Sequence, residues 1–292
     1  MAYIYLLCAI ITSALLAISG TLFNKKNNWK EGLGGLYNLM AACGNWTTWL
    51  IIFCINPSYD LRIIPYAVAY GVSYAFFWVG LTGALQCGSS ALTGFIKQIA
   101  FVFVAIWGFV FWNADPTVVM LAGIALIAIA LFLCLVPIGK SAPKGTVKIT
   151  GKWILYAVLI LIGNAGCSIL QRTQQMEFNK QHGSFLMVTA TFFALIFCVL
   201  MCLKDDKREW KRVAISSGYF PLLAGSSSAV CNVFLIRLAS TSLSTGIIYP
   251  ALAIGGLTLT TLVSVAICKE RLKISQWIGL AIGAVALVLL NL

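Results

Sequence analysis

Ten apolar runs, each close to 20 residues long and separated by short polar stretches, constrain this chain more than any other feature. A helix that crosses the hydrocarbon core of a bilayer needs about 20 predominantly apolar residues. In lipid, every backbone N–H and C=O must find its partner within the protein, so runs of this length read as helices. The runs are Tyr3–Phe23, Leu33–Ile55, Ile64–Leu85, Ser89–Trp112, Thr117–Pro137, Lys152–Gln171, Ser184–Leu203, Ser216–Leu238, Leu243–Ile267 and Ser275–Leu292. Of the 292 residues, 61% are hydrophobic and 10% are charged. Soluble domains carry roughly 25% charged residues. A soluble globule could not cover such a chain with polar surface. Disorder, a disulfide-stapled secreted scaffold and a nucleic-acid binder are therefore excluded. The expected fold class is an all-α polytopic membrane protein with ten transmembrane helices, its main partner the lipid bilayer.

The chain divides near its middle. Residues 138–151 are basic and contain Gly and Pro, with Lys140, Pro143, Lys144, Gly145 and Lys148. Five runs precede this loop (residues 1–137) and five follow it (residues 152–292). A weak internal repeat joins the halves. Ser89-Ser90-Ala91-Leu92-Thr93-Gly94-Phe95-Ile96 aligns with Thr241-Ser242-Leu243-Ser244-Thr245-Gly246-Ile247-Ile248 at an offset of 152, and Ala122-Gly123-Ile124-Ala125 aligns with Ile278-Gly279-Leu280-Ala281. Five is odd, so a second copy enters the membrane inverted, the arrangement of alternating-access carriers. The formal net charge of +12 reports orientation here. Loops after the odd-numbered runs hold 15 Lys and Arg residues and the opposite side holds 4. The excess predicts those loops in the cytoplasm and both termini outside a cell membrane. The first run leads into Asn24-Lys25-Lys26 and reads as a retained helix, not a signal peptide. The ten cysteines lie in or beside apolar runs without metal-ligand spacing and read as small packing residues.

The candidate chemistry is polar and sparse. All eight acidic residues fall in loops or at helix ends, so a membrane carboxylate for binding cations and protons in turn is missing. Lys97 is the opposite case. It lies about nine residues, roughly 13 Å of helix rise, into its run. An ionised lysine at that depth costs at least about 2.5–3.5 kcal/mol. Either it faces a wet cavity, where it would attract a carboxylate or phosphate or exchange a proton, or it is structural and bonds helix carbonyls. The position equivalent to Lys97-Gln98 in the second half is Tyr249-Pro250, where Pro250 frees a helix carbonyl and predicts a kink. Ser13, Asn38, Asn45, Tyr74, Asn164 and Asn232 are further polar residues at membrane depth, along with Ser73. Asn38 and Asn45 are two helical turns apart and share a face. Each of these residues either lines a cavity or bonds one helix to another. Gly279 and Gly283 form a GxxxG pair that suits internal packing or a weak homodimer seam equally, so the chain is expected to be a monomer or weak dimer. Arg172 and Arg237 near helix ends read as interface anchors, and His182 is a lone loop histidine. No phosphate loop, metalloprotease motif or nucleophile elbow is present, so neither an enzyme nor a cofactor is expected.

The second half resembles a known family. Asn232–Leu238, the small-residue turn Ala239-Ser240-Thr241-Ser242, Ile248-Tyr249-Pro250, Lys269-Glu270-Arg271-Leu272 and Gln276-Trp277-Ile278-Gly279 are similar to the EamA-like family of the drug/metabolite transporter superfamily. The first half departs from the pattern, with Lys97-Gln98 in place of the usual Pro and Asp115-Pro116 in place of Glu-Arg-Leu. The resemblance implies two inverted five-helix repeats around a central cavity, and a carrier of small metabolites. The residues expected to bind substrate are Lys97, Gln98, Tyr249, Asn232, Asn164, Asn38, Asn45, Tyr74 and Ser13, with Pro250 as the kink. The expected cargo is an anionic or zwitterionic small molecule, amino-acid-like or an organic acid, moved with or without a proton or counter-substrate. The alternatives are a carrier of neutral, cationic or lipid-linked substrates with a structural Lys97, and an intramembrane enzyme or sensor.

Overall fold

A computed structural model describes residues 2–28, 32–112, 117–135, 150–179, 181–202, 209–239, 245–266, 269 and 272–289. These residues form eleven α-helices: α1 (Ala2–Lys26), α2 (Gly34–Ile55), α3 (Ile64–Cys87), α4 (Ser90–Phe111), α5 (Val118–Leu135), α6 (Gly151–Glu177), α7 (Gly183–Cys202), α8 (Trp210–Ser217), α9 (Tyr219–Ala239), α10 (Thr245–Ala266) and α11 (Ile274–Leu289). A 3₁₀ turn, Leu61–Ile63, leads into α3. Seven spans are long and apolar enough to cross a membrane: α1, α2, the turn with α3, α4, α6, α7 and α9. Shorter apolar helical stretches lie in α5, α10 and α11. The chain is an all-α, multi-pass membrane protein.

Local chemistry fixes where helices start. Ser89 Oγ accepts from Leu92 N, Thr150 Oγ1 from Trp153 N and Thr117 Oγ1 from Met120 N, each at 3.2 Å. These bonds satisfy N–H groups that a helix leaves without partners in its first turn. At α11 the bond runs the other way. Gln276 Oε1 accepts from Lys273 N at 2.9 Å, the glutamine half of a capping box. The Gln of the Gln276-Trp277-Ile278-Gly279 motif thus has a structural task. The expected run from Ser216 to Leu238 is divided. An amphipathic helix, α8, ends at Ser217, and α9 begins at Tyr219. Trp210, Val213 and Ser217 supply α8's covered side, while Lys211, Arg212 and Ile215 are exposed. The central basic loop lies outside the described residues apart from its last two.

The long helices pack in a defined set of pairs. Those with the most extensive contact are α3–α6, α1–α9, α5–α11, α2–α9, α3–α7, α2–α7, α1–α10, α4–α6 and α4–α10. Large apolar side chains such as Leu7, Ile51, Val110, Phe132, Ile162 and Val285 point outward, as lipid-facing residues do. The interior holds an aromatic stack from α1, α2 and α3, in which Phe23 meets Tyr37 at 5.0 Å, Tyr37 meets Trp78 at 6.2 Å and Trp78 meets Tyr74 edge-on at 6.0 Å.

Two crossings are so close that only glycine fits. A methyl group on Gly225 of α9 would sit 1.9 Å from the Ala41 carbonyl oxygen of α2, and one on Gly163 of α6 would sit 2.4 Å from the Phe77 backbone nitrogen of α3. In lipid there is little hydrophobic drive between helices, and such contacts supply the dispersion energy that holds them together. Gly225→Ala is expected to destabilise the protein by about 1–3 kcal/mol through overpacking. Gly183→Ala, where nothing lies within 4 Å, serves as the control. Thermal unfolding of the purified variants in detergent reads the difference, and equal midpoints would show that the α2–α9 crossing is loose.

Candidate functional site

Lys97 is the eighth residue of α4, which begins at Ser90. Phe95, Ile96, Gln98, Ile99 and Ala100 around it are buried, and Lys97 itself is half-buried. Its Nζ donates to Ser13 Oγ of α1 at 3.3 Å. Its carbonyl accepts from Asn164 Nδ2 of α6 at 2.8 Å. Gln98 is only 5% exposed. A methyl group on Gly256 of α10 would lie 3.3 Å from Gln98 Nε2 and 3.6 Å from Ser13 Oγ. Helices α1, α4 and α6 thus meet at Lys97, with Ser13 at its ammonium and Asn164 at its carbonyl, and Gly256 lets α10 approach Gln98 and Ser13 closely. The Cys231 thiol of α9 is within electrostatic reach of the ammonium and donates to the Ala9 carbonyl at 3.4 Å. Among the described residues no carboxylate pairs with Lys97. Asp60 binds Arg62 and Glu177 accepts from Tyr66, both at helix ends.

The remaining expected residues are engaged elsewhere. Asn45, fully buried, donates to Tyr74 Oη at 2.7 Å and to the Gly225 carbonyl at 3.1 Å, and Tyr74 Oη lies 3.0 Å from Ser228 Oγ. That network bonds α2, α3 and α9 at the tight Gly225 crossing. Asn38 Oδ1 accepts a hydrogen bond from Thr82 across α2 and α3. Asn232 Nδ2 donates to the Ser228 carbonyl of its own helix at 3.0 Å. Helix α10 runs through Tyr249 and Pro250, but their side chains lie outside the description. Sequence reasoning missed Gly256 and Cys231. The Gly255-Gly256 pair inside an apolar run was the available signal for the first. Cys231 looked like any other packing cysteine.

Helix ends gather at two opposite poles. At one, Lys26 Nζ donates to the Ser216 carbonyl, and Asn27 Nδ2 donates to Ser217 Oγ at 3.1 Å. At the other, Ser58 Oγ lies 2.6 Å from His182 Nδ1, and Arg62 stacks over Phe178 at 5.7 Å. His182 therefore has a partner that its place in the sequence did not suggest. Arg172 lies over the Trp112 ring at 4.8 Å. A cleft of about 370 Å³ opens at the Lys26 pole. A second space, between Ala17, Ile18, Thr21, Ser90, Thr260 and Val263, is too narrow for water. Neither includes Lys97.

No family model matches the chain, and no curated relative does. Among solved structures, 26 chains match. One crystal structure of a protein superposes with a TM-score of 0.62 at 11% identity, covering 99% of this chain and 95% of that one. This likeness extends over nearly both chains and shows a shared fold.

Two predictions follow from the site's geometry. Tyr74→Phe should destabilise the protein by about 1–3 kcal/mol, because buried Asn45 loses its shortest bond. Thermal unfolding measures this, and an unchanged midpoint would mean the network carries no weight. At the other pole, hydrogen bonds from the Arg62 side chain and backbone hold Asp60 at about 2, below its ordinary 3.8. The lowered value means the interaction is intact above 3.8 and fades as pH falls through about 2. Arg62→Gln should return the carboxyl toward its ordinary value, as read by NMR titration.

Proposed function

We propose that this chain is a secondary transporter of the EamA-like type, with two inverted five-helix halves rocking about Lys97. The packing pairs support the repeat. Exchange α1 with α6, α2 with α7, α3 with α9, α4 with α10 and α5 with α11. The pair α3–α6 then becomes α9–α1, α2–α9 becomes α7–α3, and α4–α6 becomes α10–α1, while α2–α7, α4–α10 and α5–α11 map onto themselves. The same exchange turns the α1–α2 junction, at the Lys26 pole, into the α6–α7 junction at the His182 pole. Equivalent elements at opposite poles are what inversion requires.

The observation that carries the functional reading is Lys97 itself. A cation inside a membrane helix, without a carboxylate partner among the described residues and with its ammonium on the neutral Ser13 hydroxyl, calls for an anion. A small molecule bearing a carboxylate or phosphate would supply it, and Gln98 and Ser13 offer neutral hydrogen bonds beside it. The narrow space around Thr21, Ser90 and Thr260 suits a state closed at the Lys26 pole. In the conformational cycle the halves would reopen there and release the cargo. The Ser13 bond also suits a structural lysine, and substrate binding separates the two readings.

Screening purified protein by thermal shift against amino acids, organic acids and sugar phosphates should find an anionic or zwitterionic ligand that raises the melting temperature. Lys97→Gln should keep its ligand-free melting temperature, lose the ligand's shift and lose flux in proteoliposomes by at least about 30-fold. Undiminished flux through Lys97→Gln would overturn the reading.

A further inference from the structure

The cleft at the Lys26 pole lies away from Lys97 and takes no part in the proposed transport site. Lys26, Asn27, Asn28, Leu33, Glu209, Arg212 and Val213 line it. It forms where the end of α1 meets α8. Lys26 is held in place: its Nζ donates to the Ser216 carbonyl and lies 5.1 Å from the Tyr219 ring centre and 6.0 Å from that of Phe220. Asn27 is fixed by bonds to the Phe23 carbonyl at 2.9 Å and to Ser217. Asn28 adopts a left-handed backbone with φ 53°, which turns the chain at the cleft's rim. Lys26 lines the cleft with a positioned ammonium, and Arg212 lines it with an exposed guanidinium.

Three observations indicate what fits. First, the two cations face a space large enough for a phosphate and its ester groups, and guanidinium with ammonium is a pairing suited to phosphate oxygens. Second, Glu209 lines the same cleft. A carboxylate there opposes a doubly charged free phosphate more strongly than a singly charged phosphodiester. Third, α8 places Ile215, 77% exposed, between Lys211 and Arg212 on its outer side. An apolar side chain flanked by basic ones is the pattern of a helix lying in the headgroup layer, and α8 leads directly into membrane-spanning α9.

We infer that the cleft between the end of α1 and α8 binds the headgroup of an anionic phospholipid, its phosphodiester on Lys26 and Arg212. The lipid ties the α1–α2 junction of one proposed half to the start of α8 in the other, the surfaces that must part if that pole opens.

The test uses the full-length protein in nanodiscs of phosphatidylcholine, with or without phosphatidylglycerol. Phosphatidylglycerol should raise the melting temperature of the wild type. The double variant Lys26→Ala/Arg212→Ala should melt like the wild type in pure phosphatidylcholine and should bind phosphatidylglycerol about 30-fold more weakly, from two lost basic contacts. Should the double variant melt early in phosphatidylcholine, Arg212→Glu alone leaves the Lys26 contacts intact and should still abolish the lipid's effect. Native mass spectrometry should find phosphatidylglycerol retained on the wild type and absent from Arg212→Glu. Inorganic phosphate should leave the wild-type melting temperature unchanged. Equal response of wild type and Arg212→Glu to phosphatidylglycerol would overturn the site, and a rise with inorganic phosphate but not with the lipid would overturn the lipid as its source.

Discussion

The hydrocarbon core offers no water to a peptide group, and the rest of this structure depends on that. An unpaired N–H or C=O there costs several kcal/mol. The chain therefore crosses as helices, and many of its polar side chains bond to helix carbonyls or to one another. Thr12, Thr48, Thr173 and Thr191 donate to carbonyls three or four residues back. Asn45, Tyr74 and Ser228 bond to one another. Given such self-contained helices, association rests on how closely their backbones approach, and Gly163 and Gly225 set that distance at two crossings.

Against this background Lys97 stands out by what it lacks. Asn38, Asn45, Tyr74, Asn164 and Asn232 each complete an interhelical or local bond within the protein. Lys97 contributes its carbonyl to Asn164 and one ammonium hydrogen to Ser13, and an ammonium has three to give. The polar groups divide accordingly into those that hold helices together, the Asn164 bond to the Lys97 carbonyl among them, and the Ser13 hydroxyl of α1 that meets the charge on α4.

Much of the fold was legible in the sequence, because lipid imposes a length rule that soluble proteins lack. The helix α4, expected from Ser89, begins at Ser90 with Ser89 as its cap, and α2 ends at Ile55 as its apolar run does. The short helix α8 was hidden because its apolar side is only Trp210, Val213 and their neighbours, too brief for a run of about 20 to reveal. The site was less legible. Sequence spacing could place Asn38 and Asn45 on one face of α2, but not tell which neighbour that face meets. The answer, α3 and α9, made them interhelical bonds. Ser13 and Asn164, more than a hundred residues apart, meet at Lys97 because α1 and α6 both pack against α4's neighbourhood, and no local pattern encodes that. Gly256 is informative only once Gln98 and Ser13 are seen beside it.

The central claim is that the Lys97 side chain occupies a hydrated, substrate-accessible position between two halves of the molecule. Its most direct test is chemical access. Lys97→Cys, in a background with the native cysteines replaced, can be treated in proteoliposomes with a charged, membrane-impermeant methanethiosulfonate, with Ile215→Cys as the exposed control. The account predicts that position 97 reacts from at least one side, and more slowly when the ligand found by thermal shift is present. Full reaction at position 215 with none at position 97 from either side would contradict it.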